Sequence, residues 1–116
     1  PVLDTTEFDC IIANNDAMAL GAVEAMIDVG QDPASVPIVG IDASTDGRKS
    51  IAEGQMAMSA FQNAIGQGKT AVLAAKNLLE GKAANEGSEY SVDAENEFII
   101  WVPFERVDKT NVADYD

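Results

Sequence analysis

At 116 residues, with 47% hydrophobic and 23% charged side chains, the chain has the material for one core of ordinary domain size and is neither a disordered tail nor a collagen-like repeat. Its 20 Asp and Glu against 7 Lys and Arg leave a net charge of -13, which repels phosphate backbones and anionic lipid surfaces and argues against nucleic acid as a partner. The single cysteine, Cys10, cannot close an internal disulfide, and the lack of histidine removes the Ser-His-Asp triad, the Cys-His pair and every imidazole metal ligand.

The first expected element is a strand over residues 8–13, too short and too β-branched at its end for a helix, with Cys10 a small buried hydrophobe inside it. It stops at Asn14-Asn15-Asp16. From Ala17 to Val29 the residues Leu20, Val23, Met26 and Ile27 recur at helical spacing, with Asn15 or Asp16 as the cap and Gly30 as the stop. A turn at residues 31–35 leads to a second strand, Val36 to Ile41, whose near-continuous apolar character suits a parallel sheet covered on both faces.

Ser44-Thr45-Asp46 supply caps for a short helix running to Glu53, closed by Gly54. A third strand over residues 55–61 precedes a longer helix from Ala64 to Glu80, which carries Ile65, Val72, Leu78 and Leu79 and ends at Gly81. Gly66 and Gly68 in its first turns are expected to pack closely on a neighbour. Residues 82–97 are a polar surface connection with room for one hairpin strand. Phe98 to Phe104 is a last strand broken near Pro103, and Glu105 to Asp116 is a polar tail. The alternation of strands and helices is that of an α/β fold, with right-handed crossovers setting the strands parallel and the last strand free to pair either way.

In such a sheet ligands collect at the carboxyl ends of the strands. Three strands end alike, at Ala13-Asn14-Asn15, Ile41-Asp42 and Phe61-Gln62, each switching from apolar to a hydrogen-bonding side chain. Carboxamides donate and accept while a carboxylate accepts strongly, so the set can satisfy hydroxyl groups, and a neutral polyol is the implied target. The competing explanation is helix capping, which fits Asn14 and Asp16 best. Asp42 resists it, because Thr45 and Asp46 can cap the next helix without it. Phosphoacceptor chemistry at Asp42 lacks the acidic cluster a divalent metal needs after the first strand. Gly66-Gln67-Gly68-Lys69 is too short for a phosphate loop and follows the wrong element.

Several segments together resemble one family. Residues 12–25, IANNDAMALGAVEA, are similar to the motif after a core strand in bacterial periplasmic sugar-binding proteins of the type I class. Val39-Gly40-Ile41-Asp42-Ala43 and residues 54–63, GQMAMSAFQN, resemble that class's next two strand ends. The galactose/glucose-binding branch is the most similar, and the tail, residues 77–84 and then Val102-Pro103-Phe104 leading to residues 107–111, fits it as well.

The resemblance implies a parallel-sheet, three-layer, Rossmann-like lobe, incomplete in this chain, belonging to a clamp that closes on a monosaccharide. It implies delivery to the membrane subunits of an ABC permease, and in some members signalling to a chemoreceptor. No catalysis and no cofactor are implied. Asn15, Asp42 and Gln62 fall on sugar-contacting positions: Asp42 would accept from two hydroxyls, Asn15 would donate and accept, and Gln62 would bind another hydroxyl at a hinge crossing.

Residues 1–62 would form the main part of the carboxyl-terminal lobe. Residues 63–97 would hold the hinge crossing and a helix packing on the amino-terminal lobe, and residues 98–116 the returning strand and tail. The start at Pro1-Val2, without Met, is expected of a processed product or a piece of something longer, with the amino-terminal half, its ring-stacking aromatics and any lipid anchor missing. The expected location is periplasmic or extracellular.

The sequence departs from the family pattern in places. The galactose/glucose branch has asparagine where Gln62 stands and the ribose-binding branch glutamine, so the sugar stays open. Asp9 stands where the former has a calcium-ligating glutamate, but the remaining ligands belong to an absent loop, and no metal is assigned. Trp101 is expected to pack near the hinge. The alternative is the effector domain of a sugar-responsive LacI-type regulator, which needs a DNA-binding module and sits poorly with the charge of -13. An enzyme on the same sheet ranks third.

Overall fold

The computed structural model describes residues 5–115. In chain order they form β1 (Ile11–Ile12), α1 (Asp16–Asp28), a 3-10 turn (Pro33–Ser35), β2 (Ile38–Asp42), α2 (Thr45–Glu53), β3 (Met58–Phe61), α3 (Ala64–Leu79), β4 (Glu105–Asp108) and a closing 3-10 turn (Val112–Tyr115). The chain divides into two units. One runs up to Gln62 and resumes at Glu105, and the other is Asn63–Phe104.

The first unit holds the sheet, in the order β1-β2-β3-β4. The β1/β2 and β2/β3 pairs are parallel, with Ile12 opposite Val39 and Asp42 opposite Phe61, while β3 and β4 are antiparallel, with Ser59 opposite Val107. Consecutive strands lie side by side, and α1 and α2 each return the chain to the same end of the sheet for a parallel neighbour. Helices α1 and α2 pack against each other as well as against β2 and β3.

The core follows the two periodicities. Ala19, Val23 and Met26 recur at i, i+4 and i+7 on α1 and are buried, as are Ile38 on β2, Ile51 on α2, Val107 on β4, and Met56 and Val112. Burying a side chain of the size of Val23 or Met26 stabilises by about 1.5–3 kcal/mol. Ala19 takes the inward place expected of Ile27, which is 51% exposed. The stops fall where glycine was expected: Gly30, Gly54 and Gly81 all have positive φ, and after α1 the Gln31 and Gly30 amides donate to the Met26 and Ile27 carbonyls.

Several expectations are corrected. β1 pairs over only two residues, and Cys10, lying before that ladder, is exposed. Phe98–Phe104 is not a strand. It contributes only an isolated bridge between Ile100 and Val92, and the strand that joins the sheet forms at Glu105–Asp108, within the expected polar tail. An edge strand needs only one inward residue, here Val107, so Glu105, Arg106 and Asp108 do not disqualify it, whereas Pro103 has no amide for a ladder.

In the second unit α3 carries its apolar residues outward. Ile65, Val72 and Leu79 are more than two-thirds exposed, whereas Thr70 and Asn77 are buried. Asn77 donates through Nδ2 to the carbonyls of Ala84 and Glu86, which organises the following loop. A Cβ on Gly66 would lie 2.7 Å from the Tyr90 hydroxyl, as close packing requires, but one on Gly68 would meet nothing within 4 Å. Trp101 is exposed rather than packed, and its indole donates to Asp93 Oδ2 at 2.8 Å.

Candidate functional site

The three residues expected at strand ends stand at one edge of the sheet, because parallel pairing places the carboxyl ends of β1, β2 and β3 side by side. Asp42 is the last residue of β2, Gln62 follows β3, and Asn15 lies three residues past β1. Asp42 is exposed, while Asn15 and Gln62 are half-buried.

Each is placed by local chemistry. Asn15 caps α1: its backbone is extended, with φ -158°, and its Oδ1 accepts from the Met18 amide at 2.9 Å. Capping and ligand binding are therefore compatible here. The cap engages the oxygen, and Nδ2 is the donor Asn15 can present. Ser44 caps α2, its Oγ accepting from the Gly47 amide at 3.1 Å, so Asp42 has no capping duty. Asp42 is instead held with φ at 108°, and Ala43 follows with φ at 50°. Two consecutive non-glycine residues with positive φ cost about 1–3 kcal/mol each and persist only where their surroundings fix them.

Those surroundings centre on Asp16, the first residue of α1, which is fully buried. Its Oδ1 accepts from Ser59 Oγ at 2.6 Å, and its Oδ2 accepts from the Ser44 amide at 2.7 Å and from Ser44 Oγ at 3.1 Å. Ser59 Oγ in turn accepts from the Ala43 amide at 2.9 Å, and Arg48 Nη1 donates to the Ala43 carbonyl at 2.7 Å. Gly40 and Gly47 make room for the carboxylate. A Cβ on Gly40 would fall on Asp16 Oδ1, and one on Gly47 would lie 2.6 Å from Asp16 Cγ.

The capping explanation for Asp16 is thus replaced. Its carboxylate does not close the helix start but reaches the β2–α2 turn and β3. Ser59 also escaped the sequence patterning, although a polar residue at an inward position of β3 is a usable signal, as are two glycines flanking the same turn. Asp9 is exposed, and among the described residues no three His, Cys, Asp or Glu side chains could hold a metal.

In the second unit, Gln67, Thr70, Ala71, Phe98, Trp101 and Phe104 contribute to the lining of an open groove of about 390 Å³. Phe98, Trp101 and Phe104 are 71%, 62% and 56% exposed, a cluster of aromatic surface unusual for a finished exterior.

Residues 2–83 match the family described as Periplasmic binding protein domain. A Rhizobium meliloti protein named for rhizopine binding is 42% identical over 109 residues, covering 94% of this chain and 31% of its own length. The D-galactose/methyl-galactoside binding periplasmic protein MglB of Haemophilus influenzae is 35% identical with the same two coverages. An ABC transporter solute binding protein of Bacillus halodurans C-125, solved with bound myo-inositol, superposes with a TM-score of 0.70 at 36% identity, covering 98% of this chain and 35% of that one. The chain thus spans about a third of the length of these relatives. On the family match and the shared α/β architecture, it belongs to the periplasmic binding proteins of type I.

Proposed function

We propose that this chain is the carboxyl-terminal part of a non-enzymatic solute-binding component of an ABC sugar transporter, which binds a monosaccharide or similar neutral polyol between two lobes. One observation carries this: three adjacent parallel strands end at one edge in Asn15, Asp42 and Gln62, and Asp42 is held there in a costly backbone conformation without any helix-capping duty.

Asp42 accepts from two ligand hydroxyls. Asn15 donates through Nδ2 while its oxygen caps α1, and Gln62 binds a further hydroxyl at the hinge crossing. Residues 1–62 make the main part of the lobe. Residues 63–97 carry the helix that packs on the amino-terminal lobe, and residues 98–116 return. The exposed Ile65, Val72 and Leu79, seven residues apart on one face of α3, suit that packing, since apolar patches of this kind mark contact surfaces. Its partners are the ABC permease subunits, the missing half of the same protein and, for a signalling member, a chemoreceptor. Its place is the periplasm or the cell exterior.

The ligand is a sugar of the galactose/glucose or ribose kind, or an inositol. Thermal shift of the intact protein with D-galactose, D-glucose, D-ribose and myo-inositol sorts these, because a ligand at 100 times its dissociation constant stabilises by about 2.7 kcal/mol. Calorimetry then tests the site. Hydrogen bonds to a charged group contribute about 1.5–3 kcal/mol each, so Asp42→Ala is expected to weaken binding at least about tenfold. An unchanged affinity removes Asp42 from the site.

A further inference from the structure

The geometry points to Asp16 as the positioning residue of the binding edge: a buried carboxylate that fixes Asn15 and Asp42 relative to each other without touching the ligand. This deepens the sugar-binding proposal and rests on it. Asp16 follows Asn15 directly in the chain, so anchoring its side chain anchors the start of α1 on which the Asn15 amide is mounted. The same carboxylate holds the turn after Asp42 at the Ser44 amide and, through Ser59 Oγ, at the Ala43 amide. Arg48 grips the Ala43 carbonyl from α2.

The two positive-φ residues, Asp42 and Ala43, are thus held at the peptide groups immediately following them. A dipeptide this costly would otherwise relax toward an ordinary strand or helix conformation, and the Asp42 side chain would turn with it. Gly40 and Gly47 leave the space that lets Asp16 reach both sides. The three donors on Asp16 come from β3 and from the turn between β2 and α2. One carboxylate at the start of α1 therefore ties the turn after β2 to β3.

The test uses the intact protein with three variants: Asp16→Asn, Ser59→Ala and Asp42→Ala. Asp16→Asn keeps the shape but sets an NH2 group where donors already converge. Ser59→Ala removes the link to Ala43 and serves where Asp16→Asn fails to fold. Binding is measured by calorimetry with D-galactose and myo-inositol at a temperature where each variant is fully folded by circular dichroism.

A merely structural Asp16 would lower the melting temperature and leave affinity unchanged under those conditions. A positioning Asp16 weakens binding about tenfold or more, which corresponds to about 1.4 kcal/mol. In the Asp42→Ala background the same substitution then costs less, because one of the two groups it positions is gone. Crystal structures of Asp16→Asn or Ser59→Ala supply a readout that needs no ligand: Asp42 and Ala43 are expected to leave the positive-φ region.

Wild-type affinity in folded Asp16→Asn and Ser59→Ala, or an unmoved Asp42–Ala43 backbone in both, overturns the positioning role. Insensitivity of binding to Asp42→Ala, or binding of none of D-galactose, D-glucose, D-ribose and myo-inositol by the wild type, defeats the site proposal instead. In that case the backbone readout still decides whether Asp16 holds the turn.

Discussion

If Asp42 is kept in an unfavourable conformation for function, removing its side chain in two ways should separate stability from binding. Asp42→Ala deletes the carboxylate but keeps a Cβ, so the cost of φ at 108° stays. Asp42→Gly deletes both. The relief at this residue is about 1–3 kcal/mol, and the glycine's extra freedom in the unfolded chain takes back about 0.4–1 kcal/mol. The expected net gain for Asp42→Gly over Asp42→Ala is roughly 0–2.6 kcal/mol. Both variants lose the hydrogen bonds from ligand hydroxyls, so both should bind the sugar at least about tenfold more weakly than the wild type. Urea denaturation of the intact protein in both variants measures the first quantity and calorimetry the second. An Asp42→Gly protein clearly less stable than Asp42→Ala would refute the idea that the strand end stores strain. Full binding by either variant would refute its purpose.

Two glycines inside helices should respond to alanine with opposite signs. Gly21 has nothing within 4 Å of a built Cβ, so Gly21→Ala should stabilise by about 1 kcal/mol, measured by urea denaturation. Gly47→Ala should destabilise by about 1–3 kcal/mol, because its methyl meets the Asp16 carboxylate; a stabilisation equal to that of Gly21→Ala would mean the hub yields easily. Asp93, whose carboxyl is held below the usual carboxylate range first by the Trp101 indole and then by the Glu95 amide, should titrate closer to that range in Trp101→Phe, as followed by NMR. Because the folded value is the depressed one, Asp93 contributes stability above the unfolded carboxylate pKa, about 3.9, and the contribution disappears as pH falls through the folded value; an Asp93 titration identical in Trp101→Phe would dismiss the indole as its cause.

What the sequence made legible is what local chemistry decides alone. Gly30, Gly54 and Gly81 could be read as helix stops because positive φ is nearly free only for glycine, and all three have it. Asn15, Asp42 and Gln62 could be placed on one edge because right-handed crossovers make successive strands parallel and align their ends. The apolar residues of α3 misled for the opposite reason. Periodicity says that Ile65, Val72 and Leu79 want a partner but not that the partner lies within these residues, and they are exposed. The last strand was displaced as well: Phe98–Phe104 has strand composition but pairs only through the Ile100–Val92 bridge, while Glu105–Asp108 takes the edge of β3.

Asp16 shows where local reasoning stops. An Asp at the start of a helix is favoured by the helix dipole wherever it points, so nothing nearby distinguishes an exposed carboxylate from a fully buried one. The difference lies 28 and 43 residues away, in Ser44 and Ser59. Each of these also has an innocent local explanation, the first as a cap and the second as a strand residue. Only their convergence turns three ordinary residues into a clamp on a strained turn, and convergence is a property of the sheet's register. Register sets Ser59 beside Gly40, and Gly40 is the position at which a side chain would collide with Asp16. The residue proposed to position the edge is thus one whose contacts are distant in sequence, whereas the residues expected to meet the ligand were visible because they stand where strands end.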